Sequence, residues 1–373
     1  MSATSLIPRP LAELPWRVIL LVTFIAVFGL AVLYSAAGGS LEPWAMKQGV
    51  RFFVLLAGAL VLSRVPMRLI ERTALPFYLA LVALLVIVEL IGAMRGGSQR
   101  WISLGVITLQ PSELMKVAIV LILARFYTLL PAGQVRAIGA IWPALALIGL
   151  PAALVLIQPD LGTTLTIVFG GLVVMFLAGL PLRLFIGAGL AAIPVALFAW
   201  FVTMEEYQRK RVMTFLDPES DPLGTGYHIS QSKIAIGSGG IDGKGFLQGS
   251  QSHLDYLPEG HTDFVFATMA EEWGLIGGFI VIALFALLLR WATLVSLNAS
   301  TRFGKLAGGG LTMVIFFYIA LNLMMVMGLA PVVGIPLPFL SYGGSSMMTI
   351  MICIGLLMGI NRTARTGVQR GLS

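Results

Sequence analysis

The chain has 373 residues, 58% of them hydrophobic, and a mean hydropathy of +0.95. Charged residues make up 11%, against about 25% in a soluble globular chain. These values exclude a soluble enzyme, a disordered chain and a fibrous one, and they leave a protein that crosses a membrane many times. The net charge of +7 gains meaning only when the charges are assigned to sides. The single cysteine, Cys353, excludes an internal disulfide and a cysteine-based zinc site. It lies in an apolar run, as a small buried side chain would.

A membrane-spanning helix needs about 20 mostly apolar residues. Runs at 16–36, 48–62, 75–93, 114–130, 140–157, 161–180, 182–202, 264–290, 306–329 and 346–360 fit that need. The second is short, and the fourth carries Lys116 and Arg125. Ser35-Ala36-Ala37 resembles a cleavage site, but the run before it is longer than a signal-peptide core and further spans follow, which favours an uncleaved anchor. The sequence therefore predicts an all-α polytopic membrane protein of about ten transmembrane helices, a single integral membrane domain over residues 1–373. With the N-terminus in the cytoplasm, 14 Lys and Arg fall in cytoplasmic segments and 4 (Lys47, Arg51, Arg95 and Arg100) in the short outer loops. That asymmetry fits the positive-inside rule and places the C-terminus inside as well.

One connection is far longer than the rest. Residues 203–262, between spans seven and eight, form a loop that faces outward on this topology. It holds Glu205, Glu206, Arg209-Lys210-Arg211 and all three histidines. Long connections of this kind are usually functional or disordered. This one carries Phe215, Leu216, Ile229, Phe246, Leu254, Tyr256 and Leu257, apolar side chains able to dock.

Polar groups at membrane depth are costly, so each needs a reason. Trp101 in Ser98-Gln99-Arg100-Trp101-Ile102 is placed as an interfacial anchor, and Arg100 beside it either holds an anionic headgroup or caps its neighbours. In Gln110-Pro111-Ser112-Glu113-Leu114-Met115-Lys116, Pro111 and Ser112 read as a helix start with Ser112 as N-cap. Glu113 and Lys116 stand three apart on one helix face, so they either form a buried ion pair or leave Lys116 for a phosphate. Asp160 in Gln158-Pro159-Asp160-Leu161-Gly162-Thr163 reads as the N-cap of the next span. Asp263, in His261-Thr262-Asp263-Phe264, is a carboxylate at a helix mouth, where the helix dipole favours it. Glu271 and Glu272 fall inside the following span, so at least one should be buried with a polar partner. Residues 331–346, with Gly334-Ile335-Pro336-Leu337-Pro338-Phe339 and Ser341-Tyr342-Gly343-Gly344-Ser345-Ser346, cannot continue a helix and must be buried in protein or line a cavity. No Walker, GxSxG or HExxH motif occurs. The irregular spacing of His228, His253 and His261 does not favour a metal site.

Together these stretches, with Leu257-Pro258-Glu259 and Ala270-Glu271-Glu272, resemble the SEDS family of bacterial cell-wall proteins (shape, elongation, division, sporulation) from the first span to the last. Gly243-Lys244-Gly245-Phe246-Leu247-Gln248-Gly249-Ser250-Gln251 and Gly334-Ile335-Pro336-Leu337-Pro338 resemble its rod-elongation branch rather than its division branch; Gly260 and Trp273 depart from the usual pattern. The resemblance implies a peptidoglycan glycosyltransferase of the cytoplasmic membrane that polymerises lipid II on the outer face. It also implies a class B penicillin-binding protein as transpeptidase partner, a tie to the MreB cytoskeleton, and no nucleic acid. The family's essential aspartate falls on Asp263, the expected general base, which a helix N-terminus would keep ionised. Arg100, Trp101 and Lys116 are then candidates for the pyrophosphate and headgroup, and Glu113, Asp160, Glu271 and Ser341 are supporting polar groups. No cofactor is required; a divalent cation, Mg or Mn, has room to share the phosphates, with its ligands unknown. A lipid II flippase and a non-catalytic scaffold for the transpeptidase are the alternative readings.

Overall fold

The computed structural model describes residues 14–91, 93–95, 98–103, 108–203, 209, 213–214, 217, 225–254, 256–257 and 259–371. Glu205, Glu206, Lys210, Arg211, Phe215, Leu216 and Pro258 lie outside the described residues. In chain order the elements are α1 (Trp16–Ala36), α2 (Ala45–Leu62), α3 (Met67–Ile91), β1 (Ala93–Arg95), β2 (Ser98–Ser103), β3 (Thr108–Leu109), α4 (Pro111–Leu129), α5 (Ile138–Ile157), α6 (Leu161–Leu177), α7 (Leu182–Phe198), α8 (Thr225–Ser238), α9 (Val265–Leu297), α10 (Arg302–Val326) and α11 (Gly344–Gly371).

Among the described residues, seven helices are long and apolar enough to cross a membrane: α1, α2, α3, α5, α9, α10 and α11. The other three expected spans are also helices, but α6 and α7 have 17 residues each and α4 carries Glu113, Lys116 and Arg125. The charges of α4 have a packing reason. It is buried along nearly its whole length and packs against α3, α5, α6, α10 and α11. A helix surrounded by others turns no face to lipid, so its polar groups can pair internally.

One feature departs from the all-α expectation, and another gives structure to the long connection. The strands β1, β2 and β3 form a three-stranded antiparallel sheet in that order, with Met94 opposite Gln99 and Ile102 opposite Leu109. This polar segment is too short and hydrophilic to span, and strand pairing satisfies its backbone instead. Within the long connection, α8 packs on α9 and α10. Ile229 and Leu257 are buried as docking residues, whereas Phe246, Leu254 and Tyr256 stay exposed.

The same connection repairs a break in α9. Gly274 leaves the helical conformation at φ 61° and ψ −159°. The neighbouring loop supplies the missing partners. Lys244 N and Gly245 N donate to Glu271 O and Glu272 O at 3.0 Å each, while Leu275 N and Ile276 N donate to Gly240 O at 3.0 Å and Ile241 O at 3.2 Å. Backbone groups at membrane depth must find such partners within the protein. The loop comes so close that a Cβ on Gly243, at φ +82°, would lie 2.1 Å from Glu272 O. Both glutamates of the break are engaged, as expected for at least one. Glu271, fully buried, accepts from Lys244 Nζ at 2.6 Å, Ser250 Oγ at 3.1 Å and Gln251 N at 3.0 Å. Ser35 donates its hydroxyl to Glu272.

Gly243→Ala is expected to lower stability by about 1–3 kcal/mol or more, since it combines a left-handed φ with a backbone clash. A thermal melt in detergent would read this as a clear drop. Gly187→Ala, where a Cβ meets nothing within 4 Å, should melt at or above the wild-type temperature.

Candidate functional site

Stretches far apart in the chain meet at one end of the bundle around a cavity of about 500 Å³. Its wall comes from β2 (Arg100, Trp101), the start of α4 (Gln110, Glu113, Lys116), the turn into α6 (Pro159 to Thr163), the turn before α9 (Glu259, Thr262, Asp263), Tyr318 of α10, and the irregular stretch 332–346. The structure thus brings together Asp263, Arg100, Trp101, Lys116, Glu113 and Asp160. It leaves Glu271 in the α9 break and Ser341 behind the wall.

The carboxylate of Asp263 is not a helix cap. Phe264 is the N-cap residue of α9, with no side-chain capping bond. Among the described residues no group donates a hydrogen bond to the Asp263 carboxylate. Its backbone is firmly held instead: Asn322 Nδ2 donates to Asp263 O at 2.8 Å and to Ile335 O at 2.7 Å. Gly334, at φ +70°, stands where a Cβ would lie 3.6 Å from Asp263 Oδ2, so the wall opposite the carboxylate is bare backbone. Burial, and then the charge of Glu259, raise the Asp263 pKa to about 6. The sequence led to the opposite direction, a helix N-terminus lowering it; desolvation outweighs the dipole because the carboxylate faces a cavity and not the exposed helix end.

The neighbouring polar groups are mostly satisfied. Asp160 caps α6 as expected, accepting from Thr163 N at 3.1 Å and from Gln110 Nε2 at 3.3 Å. Arg100 donates to Gln158 O at 2.8 Å and Pro159 O at 2.6 Å, and stands 3.7 Å from Asp160. Lys116 and Glu113 form the ion pair that their spacing predicts, at 2.5 Å, with both side chains buried. Lys116 Nζ also donates to the Tyr318 hydroxyl at 2.6 Å, and that hydroxyl donates to Glu113. Thr349 adds a donor to Glu113 Oε2 at 3.1 Å. Ser112 is not the N-cap; Gln110 holds that position, with Pro111 opening the helix, and the buried Ser112 Oγ has no partner among the described residues.

The stretch 332–346 lines the cavity, as its prolines and glycines predict. Ser341 pins it: its Oγ accepts from Leu337 N at 2.8 Å and its carbonyl accepts from Gln48 Nε2 at 2.6 Å. At the rim, Tyr342 N donates to His261 O at 2.8 Å, and the His261 ring stacks on Trp44 at 4.0 Å. Burial lowers the His261 pKa, partly countered by Glu259. Tyr318, Asn322, Gln110 and Glu259 were not singled out by role from the sequence. Tyr318 and Asn322 did carry a signal, being polar residues four apart on one face of an apolar helix.

Residues 13–366 match the family of cell cycle proteins that comprises FtsW, RodA and SpoVE. The chain belongs to that family. It is 44% identical over 348 residues to the peptidoglycan glycosyltransferase MrdB of Escherichia coli K12, covering 92% of each chain. It is 34% identical to the probable peptidoglycan glycosyltransferase FtsW of Trichlorobacter lovleyi, over 95% of this chain and 94% of that one. Among solved structures it resembles a chain of a peptidoglycan synthase complex studied for the coordination of polymerization and crosslinking. That match has a TM-score of 0.83 at 32% identity and covers 94% of this chain and 98% of that chain. It also resembles the rod shape determining protein RodA of Thermus thermophilus, with a TM-score of 0.71 at 29% identity over 94% and 97% of the two chains.

Lys116→Met should be strongly destabilising, by about 3–5 kcal/mol, because it leaves Glu113 buried without its cation. The double variant Glu113→Gln/Lys116→Met should recover most of that loss. Chemical denaturation in detergent distinguishes the two outcomes.

Proposed function

We propose that this chain is a peptidoglycan glycosyltransferase that polymerises lipid II at the cavity around Asp263, with Asp263 as general base. The observation that carries the reading is a carboxylate fixed by its backbone, not used as a cap, and free of hydrogen-bond donors among the described residues. In the proposed reaction the 4-hydroxyl oxygen of the acceptor sugar attacks the anomeric carbon of the donor. The bond from that carbon to the phosphate oxygen breaks, the undecaprenyl pyrophosphate leaves with the electron pair, and Asp263 takes the hydroxyl proton. One inversion turns the α-linked phosphate into a β-linked glycan, so a single base suffices. A base held in this way contributes about 10²–10⁴-fold. A pKa of about 6 keeps Asp263 largely ionised at neutral pH, with more basicity than an ordinary carboxylate.

The names borne by relatives that match nine-tenths of the chain support the reaction class. The topology that suits it has about ten spans, both termini in the cytoplasm of a bacterium, and the cavity opening at the outer face of the cytoplasmic membrane. On that topology α8 and the glycine loop belong to the outer connection and the class B penicillin-binding protein is met from the outside, with the MreB-linked elongation machinery as the wider setting. Among the described residues no cluster of three or more His, Cys, Asp or Glu is placed to hold a metal; the cavity carboxylates Glu259 and Asp263 would be the groups to hold Mg or Mn beside substrate phosphates, where the ion would supply positive charge for the leaving group.

Glycan polymerisation from labelled lipid II in the presence of the partner, its transpeptidase blocked with a β-lactam, tests the reading. Wild type should make long strands, and Asp263→Asn should lose at least about 100-fold of the rate while folding and binding its partner normally. Polymerisation by Asp263→Asn at the wild-type rate would place the base elsewhere. The rate should fall as pH drops through about 6, where Asp263 takes up a proton. Glu259→Gln should move that limb to lower pH, because it removes a negative charge that raises the Asp263 pKa.

A further inference from the structure

The charge of the cavity does not suit an anionic leaving group. Its wall holds two cations, Arg100 and Lys116, and four carboxylates, Glu113, Asp160, Glu259 and Asp263. Lys116 is occupied by Glu113 and Tyr318, and Arg100 by two carbonyls and the nearby Asp160. Lys116 is therefore closed off by the protein, while Arg100 spends two of its five N–H donors on carbonyls and has Asp160 beside it. A polyphosphate needs charge-assisted donors with capacity to spare.

Arg51 has that capacity. It lies in the second turn of α2, and its guanidinium sits over the Tyr342 ring, 4.9 Å from the ring centre. The guanidinium carbon and Nε are 3.7 Å from where a Cβ on Gly344 would stand. Tyr342 and Gly344 both line the cavity. Among the described residues Arg51 makes no ion pair and no hydrogen bond; the tyrosine face is its partner. Arg51 stands near the outer end of α2, and no carboxylate among the described residues pairs with it, so its charge is open to an anion. The attraction is stronger here because Gly344 is the first residue of α11, whose positive end faces the same way. A planar guanidinium held against an aromatic ring keeps its fork of donors free for phosphate oxygens.

We propose that Arg51 is a further substrate-binding residue, which takes the pyrophosphate of the undecaprenyl-linked donor at the Tyr342–Gly344 edge of the cavity. The proposal rests on the polymerase reading for its choice of anion. On this arrangement Arg51 and Asp263 serve opposite ends of one bond change, the first holding the leaving group and the second the attacking hydroxyl.

Phenylglyoxal labelling of the full-length wild-type protein in detergent, read at single arginines by peptide mass spectrometry, tests it without a variant. Undecaprenyl pyrophosphate should slow labelling of Arg51 several-fold and leave Arg72, on α3, unchanged. A soluble stem peptide, which offers carboxylates but no phosphate, should protect nothing. Equal labelling of Arg51 with and without undecaprenyl pyrophosphate overturns the proposal, and so does protection by the peptide alone. Arg51→Gln should weaken undecaprenyl pyrophosphate binding about 10- to 100-fold, and Arg51→Lys less. Its polymerisation KM should rise more than its kcat falls. A chain that binds undecaprenyl pyrophosphate through Arg51 yet makes no glycan would refute the polymerase reading and leave this one standing. A chain in which Arg51→Gln polymerises with wild-type KM would refute this one alone.

Discussion

Every backbone amide and carbonyl buried in a hydrocarbon setting must find its partner inside the protein, and this constraint shapes the molecule. At two interruptions another part of the chain fills the gap. At Gly274 the glycine loop 240–245 donates to and accepts from the freed groups of α9. Between α10 and α11 the carbonyls of Asp263 and Ile335 share the amide of Asn322, and Ser341 closes the turn that follows. The irregular backbone is gathered at the end that holds the cavity, because such backbone is tolerated only against protein or a cavity.

The polar side chains obey the same economy. Glu113, Lys116, Tyr318 and Thr349 form one closed network inside the bundle, and Glu271 is closed by Lys244, Ser250 and the Gln251 amide. Closed networks hold helices in register and have little left to offer a ligand. The Asp263 carboxylate and the Arg51 guanidinium differ in this respect. The first is placed through its backbone by Asn322 and the second by the Tyr342 ring, and among the described residues neither is paired with a countercharge. Catalysis uses groups of this kind, oriented by the protein but not consumed by it.

Several readings of single residues turned on what lay across the cavity. An N-capping aspartate was legible in Gln158-Pro159-Asp160, because the capping bond to Thr163 is local, only three residues away. Asp263 has a similar local setting, yet it neither caps nor has its pKa lowered, because burial, and then the charge of Glu259, outweigh the helix end. Ser112 looked like a cap, but the cap is Gln110, two residues earlier, and the helix starts at Pro111. The ion pair of Glu113 and Lys116 followed from helical spacing. Its third member, Tyr318, stands 202 residues beyond Lys116, and no local pattern could supply it.

The sequence by itself determined the membrane character, the positions of the apolar runs, the long connection 203–262, the interrupted stretch 331–346 and the family, because hydropathy, turn chemistry and short motifs are local properties. It also grouped Asp263, Arg100, Trp101, Lys116, Glu113, Asp160, Glu271 and Ser341 as one candidate site, of which the structure places all but Glu271 and Ser341 on the cavity wall. Only the tertiary structure decided which of them are engaged and which are free, since that depends on partners from α2, α9, α10 and the stretch before α11. It also decided that a charged helix could stand at the centre of the bundle, because burial on all sides by other helices replaces the lipid that hydropathy assumes as the surroundings.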